Sequence, residues 1–189
     1  MNTIFNRKSI LFFVCSLLLI CSAGTVGYFY YVQRPQILEF DEQRDTPFIL
    51  DIFNNDWYWL VSEYSTEFSP QYMLHYRASS KAPENIGNLT IKTMYIKNEP
   101  VGFVAYYKKN FYEGYILFLA LLKKFRSKGY AYQLLSQAIE DLKSRFVTKI
   151  RLVTRTINTP AIKLYTRAGF KETSRDDDGF VYFQYTVAH

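Results

Sequence analysis

The run YILFLALL (115–122) is almost uninterruptedly apolar, and it constrains the chain more than any other feature. Such a run suits a strand buried on both faces, which places it in the interior of a sheet. The residues that follow, KKFRSKGYAYQLL (123–135), set four cations within six residues, then Gly129, then the start of an apolar stripe. Leu134, Leu135, Ala138, Ile139, Leu142 and Phe146 recur at helical spacing. KIRLVTR (149–155) reads as the next strand. A strand–helix–strand unit of this length is a right-handed crossover joining parallel strands.

The other elements fit around that unit. ILEF (37–40) reads as a first strand. RDTPFILDIFNNDWYWLV begins as a helix, with Asp45 or Thr46 as cap and Pro47 in the first turn. SPQYMLHYRA reads as a short second helix and KAPENIGN (81–88) as a loop. LTIKTMYIK and VGFVAYY form a hairpin around NEP. A helix over 160–168 precedes strands near 170–174 and 180–187, which are separated by RDDDG, read as a solvated turn. The soluble part, 34–189, is therefore a single mixed α+β domain.

No residue from Ser9 to Gln33 is charged, and the stretch is long enough to cross a bilayer. Tyr28, Tyr30 and Tyr31 stand at its far end like an interfacial belt, so residues 1–33 read as a transmembrane anchor. The competing reading is a cleaved signal peptide ending near Cys21-Ser22-Ala23. Arg7 and Lys8 on one side, against Arg34 and Arg44 on the other, give little bias in orientation. Cys15 and Cys21 both lie in this stretch, which leaves the domain without a disulfide framework or a cysteine nucleophile. His75 and His189 have no ligand neighbours, so no metal site is expected. Beyond residue 33, 21 cationic residues face 17 acidic ones, which suits an anionic ligand but forms no nucleic-acid stripe.

Two local patterns carry chemistry. Arg126-Ser127-Lys128-Gly129-Tyr130-Ala131 lies between the buried strand and the helix. A glycine there lets backbone approach a ligand, and the free amides and dipole of a helix N-terminus favour a diphosphate. Arg126 and Lys128 add charge-assisted bonds. The second pattern is NTPAIKLYTRAGF, which also reads as a short helix capped by Asn158 or Thr159 and ended by Gly169. In this order and on these elements, the two resemble the signature of the GNAT superfamily of N-acetyltransferases, R/Q-x-x-G-x-G/A followed by N-x-x-A-x-x-L-Y-x-x-x-G-F.

The resemblance implies a GNAT-like fold, with a central mixed β-sheet of about seven strands flanked by helices. It implies acetyl-CoA as co-substrate and an amine as acceptor. By similarity, backbone groups of Leu119 and Leu121, near a strand bulge, would pair with the pantetheine arm where the parallel strands splay. The amides of Arg126, Ser127, Lys128, Gly129, Tyr130 and Ala131 would hold the diphosphate, and Asn158 would lie beside the pantetheine. A neutral amine would attack directly, with a backbone N–H near Leu119–Leu121 steadying the oxyanion. Tyr165 would protonate the departing thiolate. The chain lacks the catalytic Glu of ribosomal-protein-type relatives, since Leu152–Asn158 reads LVTRTIN, and Tyr115 stands where histone-acetylating relatives carry Glu. Glu113, two residues earlier on the same strand face, becomes the candidate base. The missing carboxylates keep open a non-catalytic acyl-CoA-binding module, and the N-terminal stretch an exported interaction protein. Acetyl-CoA is chiefly cytosolic, which favours a domain on the cytoplasmic side.

Overall fold

The computed structural model describes residues 34–61, 68–77, 79, 83 and 87–187. The expected membrane stretch 9–33, both cysteines, His189 and most of the 81–88 loop lie outside the described residues. Among those described, no helix is long and apolar enough to cross a membrane.

In chain order the elements are β1 (Gln36–Glu39), α1 (Glu42–Leu60), α2 (Pro70–Tyr76), β2 (Thr90–Ile96), β3 (Glu99–Lys108), β4 (Glu113–Leu121), α3 (Tyr130–Ser144), β5 (Lys149–Arg155), α4 (Thr159–Arg167), β6 (Lys171–Arg175) and β7 (Phe180–Thr186). A 3₁₀ turn, Lys123–Phe125, links β4 to α3. The strands form one mixed sheet in the order β1-β2-β3-β4-β5-β7-β6. Only β4 and β5 run parallel, as the α3 crossover requires.

Each helix begins where a cap satisfies its first amides. The Asp41 carboxylate accepts from the Arg44 amide at 2.9 Å, so α1 starts at Glu42, a turn earlier than the sequence suggests. Pro47 consequently lies inside the helix. Asp45, an expected cap, is instead fully buried and anchors α1 to β2. It accepts from the Asp41 amide at 2.9 Å, from Thr93 at 3.2 Å, from Tyr95 and from Arg44 at 2.8 Å. The β2–β3 turn places Lys97 and Asn98 at φ 53° and 64°, the two left-handed residues of a tight hairpin.

Alternation along the strands splits the core into two layers. On one sheet face Leu134, Leu135, Ala138 and Leu142 of α3 meet Val104, Ile116, Ile150 and Phe183. On the other, Ile49, Ile52 and Phe53 of α1 and Met73 and Leu74 of α2 meet Ile91, Phe103, Ala105 and Phe118. Each of these side chains larger than alanine contributes roughly 1.5–3 kcal/mol through burial. Phe146 departs from the expected stripe. The helix ends at Ser144, and Phe146, at φ 62°, is 83% exposed. Gly102 packs so closely under the end of β4 that a Cβ would stand 2.5 Å from the Ala120 carbonyl oxygen.

Candidate functional site

The parallel ladder between β4 and β5 is short. Its register ends at Tyr115 opposite Arg151, although β4 runs on to Leu121 and β5 to Arg155. Beyond that point the strands splay. Across β4, Ala105 and Phe118 are partners and so are Tyr106 and Ile116, which leaves Leu117 as the extra residue of a bulge. The bulge is thus two residues before the Leu119 position expected for it.

The Leu122 amide donates to Val101 on the β3 side at 2.9 Å. Backbone alternation then turns the polar groups of Leu119 and Leu121 toward the open β4–β5 gap. One of these groups is already engaged: the Leu121 carbonyl accepts from Arg126 Nε at 2.9 Å.

At the mouth of the gap, Gly129 is the N-cap of α3 at φ 83°, with no side-chain cap and nothing within 4 Å of where a Cβ would be. Among the described residues, no amide from Ser127 to Ala131 donates to a backbone or side-chain acceptor. Uncapped amides at a helix N-terminus present partial positive charge to an anion. Lys128 adds its ammonium nearby, 5.5 Å from the Phe125 ring. Arg126 is arranged differently from the sequence expectation. Its amide donates to the Lys123 carbonyl at 3.2 Å, and its guanidinium bonds Asp56 at 2.5 Å. A nearly buried carboxylate outcompetes an open turn for a guanidinium. Asp56, at a kink in α1, had no signal in the sequence, because its partner is 70 residues away.

Asn158 caps α4 by accepting from the Ala161 amide at 3.3 Å, and its Nδ2 donates to Thr154 Oγ1 at 3.2 Å. These bonds tie the start of α4 to the end of β5, on the far side of the gap. About two helix turns beyond Asn158, Tyr165 is 7% exposed, with ring centroids 6.0 Å from Phe170 and 5.9 Å from Phe183. Burial, and then the neighbouring Tyr115 phenol, push the Tyr165 hydroxyl well above the ordinary phenol range. It therefore stays protonated, the state in which a general acid must start.

Glu113 lies where β4 and β5 are still paired, opposite Lys149. Six residues separate it from Leu119, about 20 Å along an extended strand. Glu113 is 7% exposed, and its carboxylate stands 3.2 Å from Arg151 Nε. The structure thus gathers Leu119, the Ser127–Ala131 amides, Asn158 and Tyr165 around the gap and its mouth, and leaves Glu113 at the opposite end of the strand. Between the two stands Tyr115, the last paired residue, with its ring centroid 5.8 Å from that of Tyr107. Burial, then Tyr107 and Tyr182, push its phenol up to about 12, against an opposing pull from Arg151. Among the described residues, no group of three His, Cys, Asp or Glu could hold a metal ion.

The fold is shared by solved structures. The N-acetyltransferase PaiA of Thermoplasma acidophilum, solved with coenzyme A, aligns over 82% of this chain and 99% of its own, at 17% identity and TM-score 0.67. Ard1 of Thermoplasma volcanium aligns over 82% and 99%, at 20% identity and TM-score 0.61. A GNAT acetyltransferase of Elizabethkingia anophelis with acetyl-CoA bound aligns over 81% and 98%, at 16% identity and TM-score 0.54. No curated protein sequence matches the chain. Residues 47–170, most of the described domain and both sequence patterns, match the profile of the Acetyltransferase (GNAT) family. The chain is therefore an acetyltransferase and belongs to the GNAT family.

Proposed function

We propose that the chain transfers an acetyl group from acetyl-CoA to a primary amine, with both substrates bound at once. The observation that carries this reading is the meeting of two features at one end of the sheet. A gap between parallel strands opens there, directly beside a run of unpartnered amides at a helix N-terminus. A diphosphate fits those amides, because it needs several N–H donors and a backbone that can come close. The open space at Gly129 provides that approach. Coenzyme A and acetyl-CoA are bound by two of the proteins that share the fold.

When bound, acetyl-CoA would supply an activated thioester. The chain's own groups do the rest. Ser127 to Ala131 would hold the diphosphate through their amides, with Lys128 adding charge. Leu119 would offer main-chain hydrogen bonds along the gap, and Leu121 its amide. A main-chain N–H beside the bulge would steady negative charge on the thioester oxygen. Tyr165 would deliver its proton to the departing sulfur. Arg126 holds the turn in place from behind, through Asp56 and the Leu121 carbonyl. Glu113 is too far down β4 to take a proton from an amine in the gap, so solvent or an acceptor that is already neutral would serve. At pH 7 roughly one α-amine in ten is neutral, against about one lysine amine in a few thousand.

Purified protein offered acetyl-CoA and a panel of primary amines should release free CoA thiol and show a higher melting temperature with CoA. The absence of both thiol release and a melting shift at saturating coenzyme would overturn the reading. Binding without turnover would favour a non-catalytic acyl-CoA module, which the absence, among the described residues, of a free carboxylate at the gap makes the second reading. We also propose that residues 9–33 anchor the chain in a membrane, with the domain on the side where acetyl-CoA is made.

A further inference from the structure

We infer that a depression over the paired ends of β4 and β5, which leads up to the gap, selects an acceptor with a zwitterionic α-amino acid head and a primary amine at the end of its side chain. This rests on the acetyl-transfer reading above. The depression measures about 320 Å³ and is lined by Lys109, Glu113, Tyr115, Arg151, Tyr182 and Gln184, among others.

Its floor is built for two opposite charges. The Glu113 carboxylate is almost wholly buried, yet its Oε1 receives no hydrogen bond. Arg151 Nε approaches that oxygen at 3.2 Å without aligning its N–H. Buried polar atoms are nearly always satisfied, so the oxygen is suited to N–H donors from a ligand. An ammonium group supplies them with charge assistance. The half-exposed Arg151 and Lys109 line the same space and offer two cations to a carboxylate. An anionic acceptor that drew Arg151 to itself would leave Glu113 without its cation, and a diamine would meet two cations. A head that carries both charges answers both.

The depression also points toward the reacting groups. Its wall includes Tyr115, the last residue before the strands splay and only two residues, about 7 Å, beyond Glu113. A head held at Glu113 and Arg151 therefore needs several methylenes to bring its distal amine to the gap. The Tyr182 hydroxyl donates to Asp176 at 2.8 Å, which fixes the adjacent wall.

The test uses the full chain and acetyl-CoA, with L-lysine, cadaverine (no carboxylate) and 6-aminohexanoate (no α-amine) as acceptors. L-Lysine should exceed each of the others by at least about tenfold in kcat/KM, the effect of one charge-assisted contact. Glu113→Gln should raise KM for L-lysine and cadaverine but not for 6-aminohexanoate. Arg151→Met should raise it for L-lysine and 6-aminohexanoate but not for cadaverine. Lys109→Met, in a loop, gives the same readout as Arg151→Met if that variant does not fold. Equal rates for the three acceptors, or variants that change none of the KM values, would overturn the inference while leaving acetyl transfer intact. A chain that binds no coenzyme in calorimetry would sink the acetyl-transfer reading, and this inference with it.

Discussion

At Tyr165 one hydroxyl connects sequence, packing and chemistry. The LY pair of the second pattern puts it on the inward face of α4, where Phe170 and Phe183 exclude water. The resulting upward shift keeps the proton on oxygen until a more basic atom arrives. Tyr165→Phe removes that proton and leaves the ring packing in place. It should lower kcat by about 100-fold, with the KM for acetyl-CoA and the melting temperature close to those of the parent. Pre-steady-state and steady-state thiol release on the same preparation would check this, and an unchanged kcat would remove Tyr165 from the acid role. The place of Tyr165 on the inward face of α4 was legible from its motif alone. Arg126 shows the opposite case. Its cationic, turn-borne position suggested phosphate, and the fold turned the side chain to Asp56 instead.

Among the elements, α1 is tied to β2 by one fully buried carboxylate, Asp45. Burial alone would raise the Asp45 pKa, but hydrogen bonds from Arg44, Tyr95 and the Asp41 amide outweigh it and hold the group below the usual carboxylate range. A depressed folded-state pKa means that this stabilisation is complete above the ordinary carboxylate value and fades as pH falls through the folded one. Asp45→Asn should therefore cost about 2–3 kcal/mol at pH 7, since it removes the charge and one of the two acceptor oxygens that Arg44, Tyr95 and Thr93 share. The cost should shrink steadily below about pH 4. Urea unfolding at a series of pH values reads this directly, and a cost independent of pH would contradict the account. The sequence placed α1 but started it too late. Pro47 is a stronger local signal for a first turn than Asp41, and only the contact with β2 reveals why Asp45 has another task.

Over the whole molecule, the sheet register fixes which end carries the chemistry. Gln36 pairs with Tyr95, next to the turn that leads into β3, and Gly102 of β3 pairs with Leu121. Residue 34 therefore leaves the domain at the same end as the cationic turn. An anchor at 9–33 would bring the turn of Lys123, Lys124 and Lys128 toward the bilayer, where cations are attracted to anionic headgroups. In sealed vesicles with the cytoplasmic face inside, added protease should leave the C-terminus intact, and its loss would place the domain on the other side. The sequence by itself determined the strands, the α3 crossover and the two motif-bearing turns that open α3 and α4. Each of those depends on neighbours along the chain: an apolar run, a helical stripe, a glycine at a helix start. Only the tertiary structure decided which polar groups stay available. It spent Arg126 on Asp56, moved the bulge to Leu117 and set Glu113 against Arg151, away from the gap. Such pairings join residues far apart in sequence, and side-chain type carries no record of which distant partner the packed sheet will supply.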